Sequence, residues 1–170
     1  ADREIAVREL EVHDLEKLGY DEEMSRRIFG LLSGGNQLRE YLRRAEACDC
    51  FPVTRLNPCY PLLVRKCLGL DSPGALWAKG DVSLLDLPKV ALVGSRDLQS
   101  DNAAFAREAG RQAALQGYVL VSGNARGADK LAQNACLDAG GKVISVVADS
   151  LWEHTKKENV LYLSENSFEE

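Results

Sequence analysis

At 170 residues the chain has room for one hydrophobic core of ordinary size and a small appended module. Hydrophobic residues at 45% and charged residues at 28% exclude disordered, collagen-like and mucin-like chains, and no apolar run approaches the roughly 20 residues of a membrane-spanning helix. The net charge of −5 argues against nucleic-acid binding by the whole surface; by segment it is −4 over residues 1–50, +2 over 51–89, zero over 90–150 and −3 over 151–170, so an anion site belongs in the middle of the chain.

Apolar residues Ile5, Val7, Leu10, Leu15 and Leu18 among charges predict an amphipathic helix over 3–18. Asp21 is placed to cap a second helix through Met24, Ile28, Leu31 and Leu32, and Leu38, Tyr41, Leu42 and Ala45 mark a third. Residues 1–49 therefore form a small helical module. Short helix, glycine, short helix is the pattern of SAM or helix-hairpin-helix modules, and equally of a plain packing appendage, which suits the acidic charge better. Residues 50–170 form the main domain. Pro52, Pro58, Pro61 and Pro73 make its first part an extended, basic connector, with a short edge strand at Leu76–Gly80.

From Lys89 the pattern changes. Val90–Val93 reads as a strand buried on both faces, followed by a helix over 101–116 capped by Asp101. Tyr118–Val121 is a second strand and 127–139 a second helix. Val143–Val147 and Val160–Leu163 are further strands. The order βαβαβ(α)β with short connections predicts a Rossmann-like α/β fold, a mostly parallel sheet with helices on both faces and ligands at the carboxyl ends of the strands.

Those ends carry Gly94-Ser95-Arg96-Asp97 and Ser122-Gly123-Asn124-Ala125-Arg126-Gly127-Ala128-Asp129. Glycine lets a backbone approach a phosphate, free N–H groups at a helix start donate to it, and the Arg96 and Arg126 guanidinium forks suit its geometry. Gly94, Ser95, Arg96, Ser122, Gly123, Asn124, Arg126 and Gly127 are thus the candidate phosphate-binding residues, although such glycine loops also serve as plain turns. Asp97 and Asp129 fit simple service at their helix N-termini.

Other chemistries fit poorly. There is neither G-x-G-x-x-G after the first strand nor a G-x-x-x-x-G-K-[ST] loop, and Ser95, Ser122 and Ser150 have no histidine partner at a strand end. Cys48, Cys50, Cys59, Cys67 and Cys136 lack paired C-x-x-C knuckles, and His13 and His154 are isolated, so no metal or other cofactor is expected. The odd cysteine count and the lack of an export signal predict reduced thiols in the cytoplasm.

Cys59-Tyr60-Pro61-Leu62-Leu63, Asp71-Ser72-Pro73-Gly74-Ala75-Leu76 through Gly80, Val93-Gly94-Ser95-Arg96, Ser122-Gly123-Asn124-Ala125-Arg126-Gly127-Ala128-Asp129, Gly140-Gly141 and Ser164-Glu165 occur in one order over residues 59–165. This ordered set resembles the DprA/Smf family of DNA-processing proteins. The resemblance implies a Rossmann-like domain, without catalytic activity, that binds single-stranded DNA as a homodimer and helps load the RecA recombinase in natural transformation. It also implies that Gly94, Ser95, Arg96, Ser122, Gly123 and Arg126 line the phosphate pocket. The chain departs from the family pattern at Gln133, where the family usually has His, at Asn124 and Ala128, and in the short segment after Asp149. The rival reading is a nucleotide- or phosphate-ligand-binding protein, a sensor or nucleosidase-like member of the wider superfamily.

Overall fold

The computed structural model describes residues 10–166 and 168–169. The chain divides between Arg44 and Ala45 into two compact units.

Three helices occupy the first part: α1 (Val12–Lys17), α2 (Glu22–Ser33) and α3 (Gly35–Ala47). The start of the helix expected over 3–18 lies outside the described residues. Asp21 caps α2 as expected, its Oδ1 accepting from the Met24 amide at 2.7 Å. Leu15 and Ser25 are buried, while Leu31, Leu32 and Leu38 stand exposed.

The second part is a six-stranded sheet. Its strands are β1 (Cys50–Thr54), β2 (Ala75–Gly80), β3 (Lys89–Ala91), β4 (Val119–Ser122), β5 (Lys142–Val146) and β6 (Val160–Ser164), in the order β1-β2-β6-β5-β4-β3. The strands β3, β4, β5 and β6 are parallel neighbours, and β2 and β1 join antiparallel. Two helices cross over between the parallel strands: α5 (Ser100–Leu115) links β3 to β4 and α6 (Ala128–Asp138) links β4 to β5. The α/β fold is the one expected, with both crossover helices ending just ahead of Gly117 and Gly140.

Four expectations change. The extended connector contains a strand, β1, and a helix, α4 (Leu62–Leu68). Its prolines do not prevent this, because Pro52 sits on the outermost strand and Pro61 at the N-cap of α4, where a missing N–H costs little. Arg55 and Tyr60 pin the segment down, both bonding the Pro73 carbonyl, at 3.2 and 2.7 Å. The strand at Ala75–Gly80 is consequently interior, with β1 outside it. Third, β3 is the opposite edge: all three of its residues are exposed, including Val90 at 43%. The apolar run Val90–Val93 matches an interior strand, but nothing among the described residues pairs with the outer side of β3. Asp101 also does not cap α5, whose N-cap is Gln99.

The register sorts side chains onto two faces. Leu120, Val143, Ala113, Ala132 and Cys136 form the core between the sheet and α5 and α6. Val53, Tyr60, Ala78, Leu84, Val119, Ile144, Leu161 and Leu163 form the core on the other side. Because β3, β4, β5 and β6 follow one another in one direction across the sheet, right-handed crossovers put α5 and α6 on the same face. The opposite face is served by α4 and a short 3-10 turn at Val82–Asp86.

The two crossover helices touch backbone to backbone: a methyl at Gly110 would lie 2.0 Å from the Ala132 carbonyl oxygen. Gly110→Ala should therefore cost about 1–3 kcal/mol or more in urea unfolding. Gly30→Ala, with nothing within 4 Å of the added methyl on exposed α2, should instead gain about 0.8 kcal/mol. The thiols divide similarly. Cys50 and Cys136 are buried, and burial raises the pKa of both, whereas Cys67 is exposed. With a disulfide reagent at mildly alkaline pH, Cys67 should react at once and Cys50 and Cys136 only on unfolding.

Candidate functional site

The site is built from the loops that leave β3 and β4. After β3, the Ser95 hydroxyl donates to the Asp97 carbonyl at 2.8 Å and accepts from the Asp97 amide at 3.2 Å, which makes a tight turn. After β4, Gly123 to Gly127 lead directly into α6. The loops are tied together where the Ala128 amide donates to the Ser95 carbonyl at 3.0 Å. Only glycine fits at 127: its φ is +93°, and a Cβ there would lie 2.2 Å from the Ser95 oxygen.

Asp129, in the first turn of α6, is the joint beneath both loops. Its carboxylate is buried; Oδ1 accepts from the Gly94 amide at 3.1 Å and Oδ2 from the Gly123 amide at 3.0 Å. The Gly94 and Gly123 amides are thereby already occupied by an internal anion. The donors that stay open are further out. The amides of Ser95, Arg96, Asn124, Ala125, Arg126 and Gly127 donate to nothing among the described residues. Asn124, at φ +59°, turns its loop through the left-handed region, and successive amides in such a turn form an anion-binding concavity.

Three cations surround these amides. Arg96 is exposed and makes no ion pair or side-chain hydrogen bond among the described residues. Arg126 reaches across to the other loop, its Nη2 2.8 Å from Asp97 Oδ1. Lys130, in the first turn of α6, donates from Nζ to Asn124 Oδ1 at 2.8 Å. With the positive end of α6 behind them, these groups form an open, electropositive edge suited to phosphate.

The structure therefore brings together Gly94, Ser95, Arg96, Gly123, Asn124, Arg126 and Gly127. Ser122 belongs to the same chain segment, but its side chain is buried on the α6 side of the sheet, opposite Ser145, and its hydroxyl has no partner among the described residues. Asp129 and Lys130 were not among the expected site residues. The one available signal was their position, two and three residues after a loop glycine at a helix start. Elsewhere, His154 lies 3.0 Å from Asp149 and stacks on Tyr162, while the nearby Ser150 hydroxyl is spent on the Phe168 carbonyl. Among the described residues no group of His, Cys, Asp and Glu is arranged to hold a metal. An apolar cavity of about 450 Å³, lined by Val64, Val121, Ile144, Val146 and Leu163 among others, contains none of the site residues.

An amide in place of the Asp129 carboxylate offers one acceptor oxygen and turns an NH2 toward the other loop. Asp129→Asn should cost about 1–3 kcal/mol in urea unfolding and speed hydrogen exchange at the Gly94 or Gly123 amide. Unchanged exchange at both would show that the carboxylate is not the joint.

Comparison with known proteins agrees with this architecture. The family model described as DNA recombination-mediator protein A matches residues 52–167. The DNA processing protein DprA of Streptococcus pneumoniae is 41% identical over 100 residues, 56% of this chain and 33% of that protein. DprA of Bacillus subtilis is 32% identical over 118 residues, 69% of this chain and 38% of that protein. The chain thus spans about a third of the length of these relatives. The X-ray structure of DprA from Streptococcus pneumoniae superposes with a TM-score of 0.71 at 27% identity, over 93% of this chain and 57% of that one. A structure addressing the single-stranded DNA binding mode of DNA processing protein A from Helicobacter pylori superposes with a TM-score of 0.53 at 25% identity, over 69% and 56%. With the sheet, both glycine loops and α6 all inside the matched stretch, the chain belongs to the DNA recombination-mediator protein A family, also called DprA/Smf.

Proposed function

We propose that this chain binds single-stranded DNA through the phosphate backbone at the outer ends of β3 and β4, as a DNA-processing protein that works without catalysing a reaction. One observation carries the reading: six unengaged backbone amides from two loops, Ser95, Arg96 and Asn124 to Gly127, open beside Arg96, Arg126 and Lys130. Membership of a recombination-mediator family, and the structural likeness to a relative studied for its single-stranded DNA binding, support DNA as the source of the phosphate. In the full reading the protein acts in the cytoplasm as a homodimer and hands the strand to a RecA-type recombinase.

No aromatic side chain lies in either loop, so base stacking contributes little and binding is tolerant of sequence. The net charge of −5 keeps affinity modest, because the basic site is local. A labelled single-stranded oligonucleotide followed by fluorescence anisotropy at two salt concentrations tests this. Log K should fall by about 0.7 per phosphate neutralised for each tenfold rise in salt. Arg96→Ala should lose roughly 1.5–3 kcal/mol, or about 10- to 150-fold in affinity. A flat salt response with full competition by AMP or ATP would instead identify a mononucleotide pocket.

A further inference from the structure

The Arg126–Asp97 ion pair joins the two loops that carry the unpartnered amides. Its partners are 29 residues apart in sequence, and both side chains are largely in solvent, at 75% and 84% exposure. Two carboxylates, one in the loop after β3 and one at the start of α6, have different fates. Asp129 is buried and its oxygens are taken by two amides. Asp97 is exposed and bonds a guanidinium that would otherwise face the ligand. The other two cations are not neutralised in this way: Lys130 rests on a neutral amide oxygen and Arg96 on nothing among the described residues.

We propose that Asp97 is a built-in competitor for the phosphate: it occupies Arg126 in the unliganded protein, and the ligand must displace it to bind. The proposal rests on the phosphate-binding reading above and adds the residue that tunes it. The Ser95 hydroxyl holds both the amide and the carbonyl of Asp97, so the carboxylate stays beside the site. A solvent-exposed carboxylate–guanidinium pair is weak and exchanges readily, so it can yield to a phosphate. The phosphate can occupy the guanidinium fork with two parallel bonds while also accepting from the loop amides. The displaced Asp97 then sits near the bound phosphate as a like charge. Both effects weaken binding, and both are screened by salt.

The experiment measures binding of a labelled single-stranded oligonucleotide to the full chain by anisotropy, at low and at near-physiological salt. It compares the parent with Asp97→Asn, Arg126→Ala, their double variant and Arg96→Ala. Asp97→Asn should bind about 3- to 10-fold tighter at low salt, with the gain shrinking as salt rises. Its salt slope should steepen, because the site then carries one more net positive charge. In the Arg126→Ala background the same change should gain less than about twofold, because no competition is left to relieve. If Asp97→Asn binds no better while Arg96→Ala weakens binding, the competitor is overturned and the phosphate site stands. Weaker binding by Asp97→Asn would make the pair a loop brace. An equal gain with and without Arg126 would reduce the effect to net charge. If neither arginine variant changes binding, the phosphate site itself falls and the competitor with it.

Discussion

The buried Asp129 carboxylate, shared between the Gly94 and Gly123 amides, is the interaction on which the rest of the site depends. The two amides belong to different strand ends, and one side chain from the helix between β4 and β5 satisfies both. This fixes the spacing of the loops and supplies negative charge at the first turn of α6, where the helix dipole favours it. It also takes two donors out of use, so the amides left without a partner among the described residues are those of Ser95, Arg96 and Asn124 to Gly127. An orphaned amide in a partly buried loop base costs about as much as a lost hydrogen bond, so the arrangement is stable only with its acceptor in place.

That joint is possible because of the strand order. With β3, β4, β5 and β6 running in one direction across the sheet, both crossover helices lie on one face and their N-termini lie at one edge. The helices approach closely because Gly110 meets the Ala132 backbone without a side chain between them. The other face is built differently. The antiparallel strands β1 and β2 extend the sheet, α4 packs beside them, and an apolar cavity of about 450 Å³ remains open between α4 and the parallel strands.

The electrostatics follow from which cations the fold consumes. Arg55 is bonded to the Pro73 and Leu70 carbonyls, Lys79 is buried and donates to the Leu151 carbonyl, and Lys89 donates to the Leu85 and Leu87 carbonyls. The excess positive charge of residues 51–89 is therefore largely structural. The cations that gather around open amides come instead from the electrically neutral stretch 90–150, where Arg96, Arg126 and Lys130 converge from two loops and a helix.

What the sequence determined by itself was the parallel α/β unit and the identity of its loops. Short apolar runs, helical periodicity and terminating glycines are local signals, and they placed β4, β5, β6, α5 and α6 within a few residues. Glycines before a helix, beside arginines, marked the loops for the same local reason. The tertiary structure decided everything that depends on neighbours. Whether Val90 is buried depends on what pairs with β3, and a short apolar run such as Val90–Val93 reads the same at an edge as in the middle. The strand β1 and helix α4 were hidden by prolines whose cost vanishes at a sheet edge and an N-cap. The role of Asp129 was invisible because its two partners lie 35 and 6 residues away and meet only when β3 and β4 are paired. The Arg126–Asp97 pair, spanning 29 residues, exists for the same reason: a side chain's partner is set by how the chain folds back on itself.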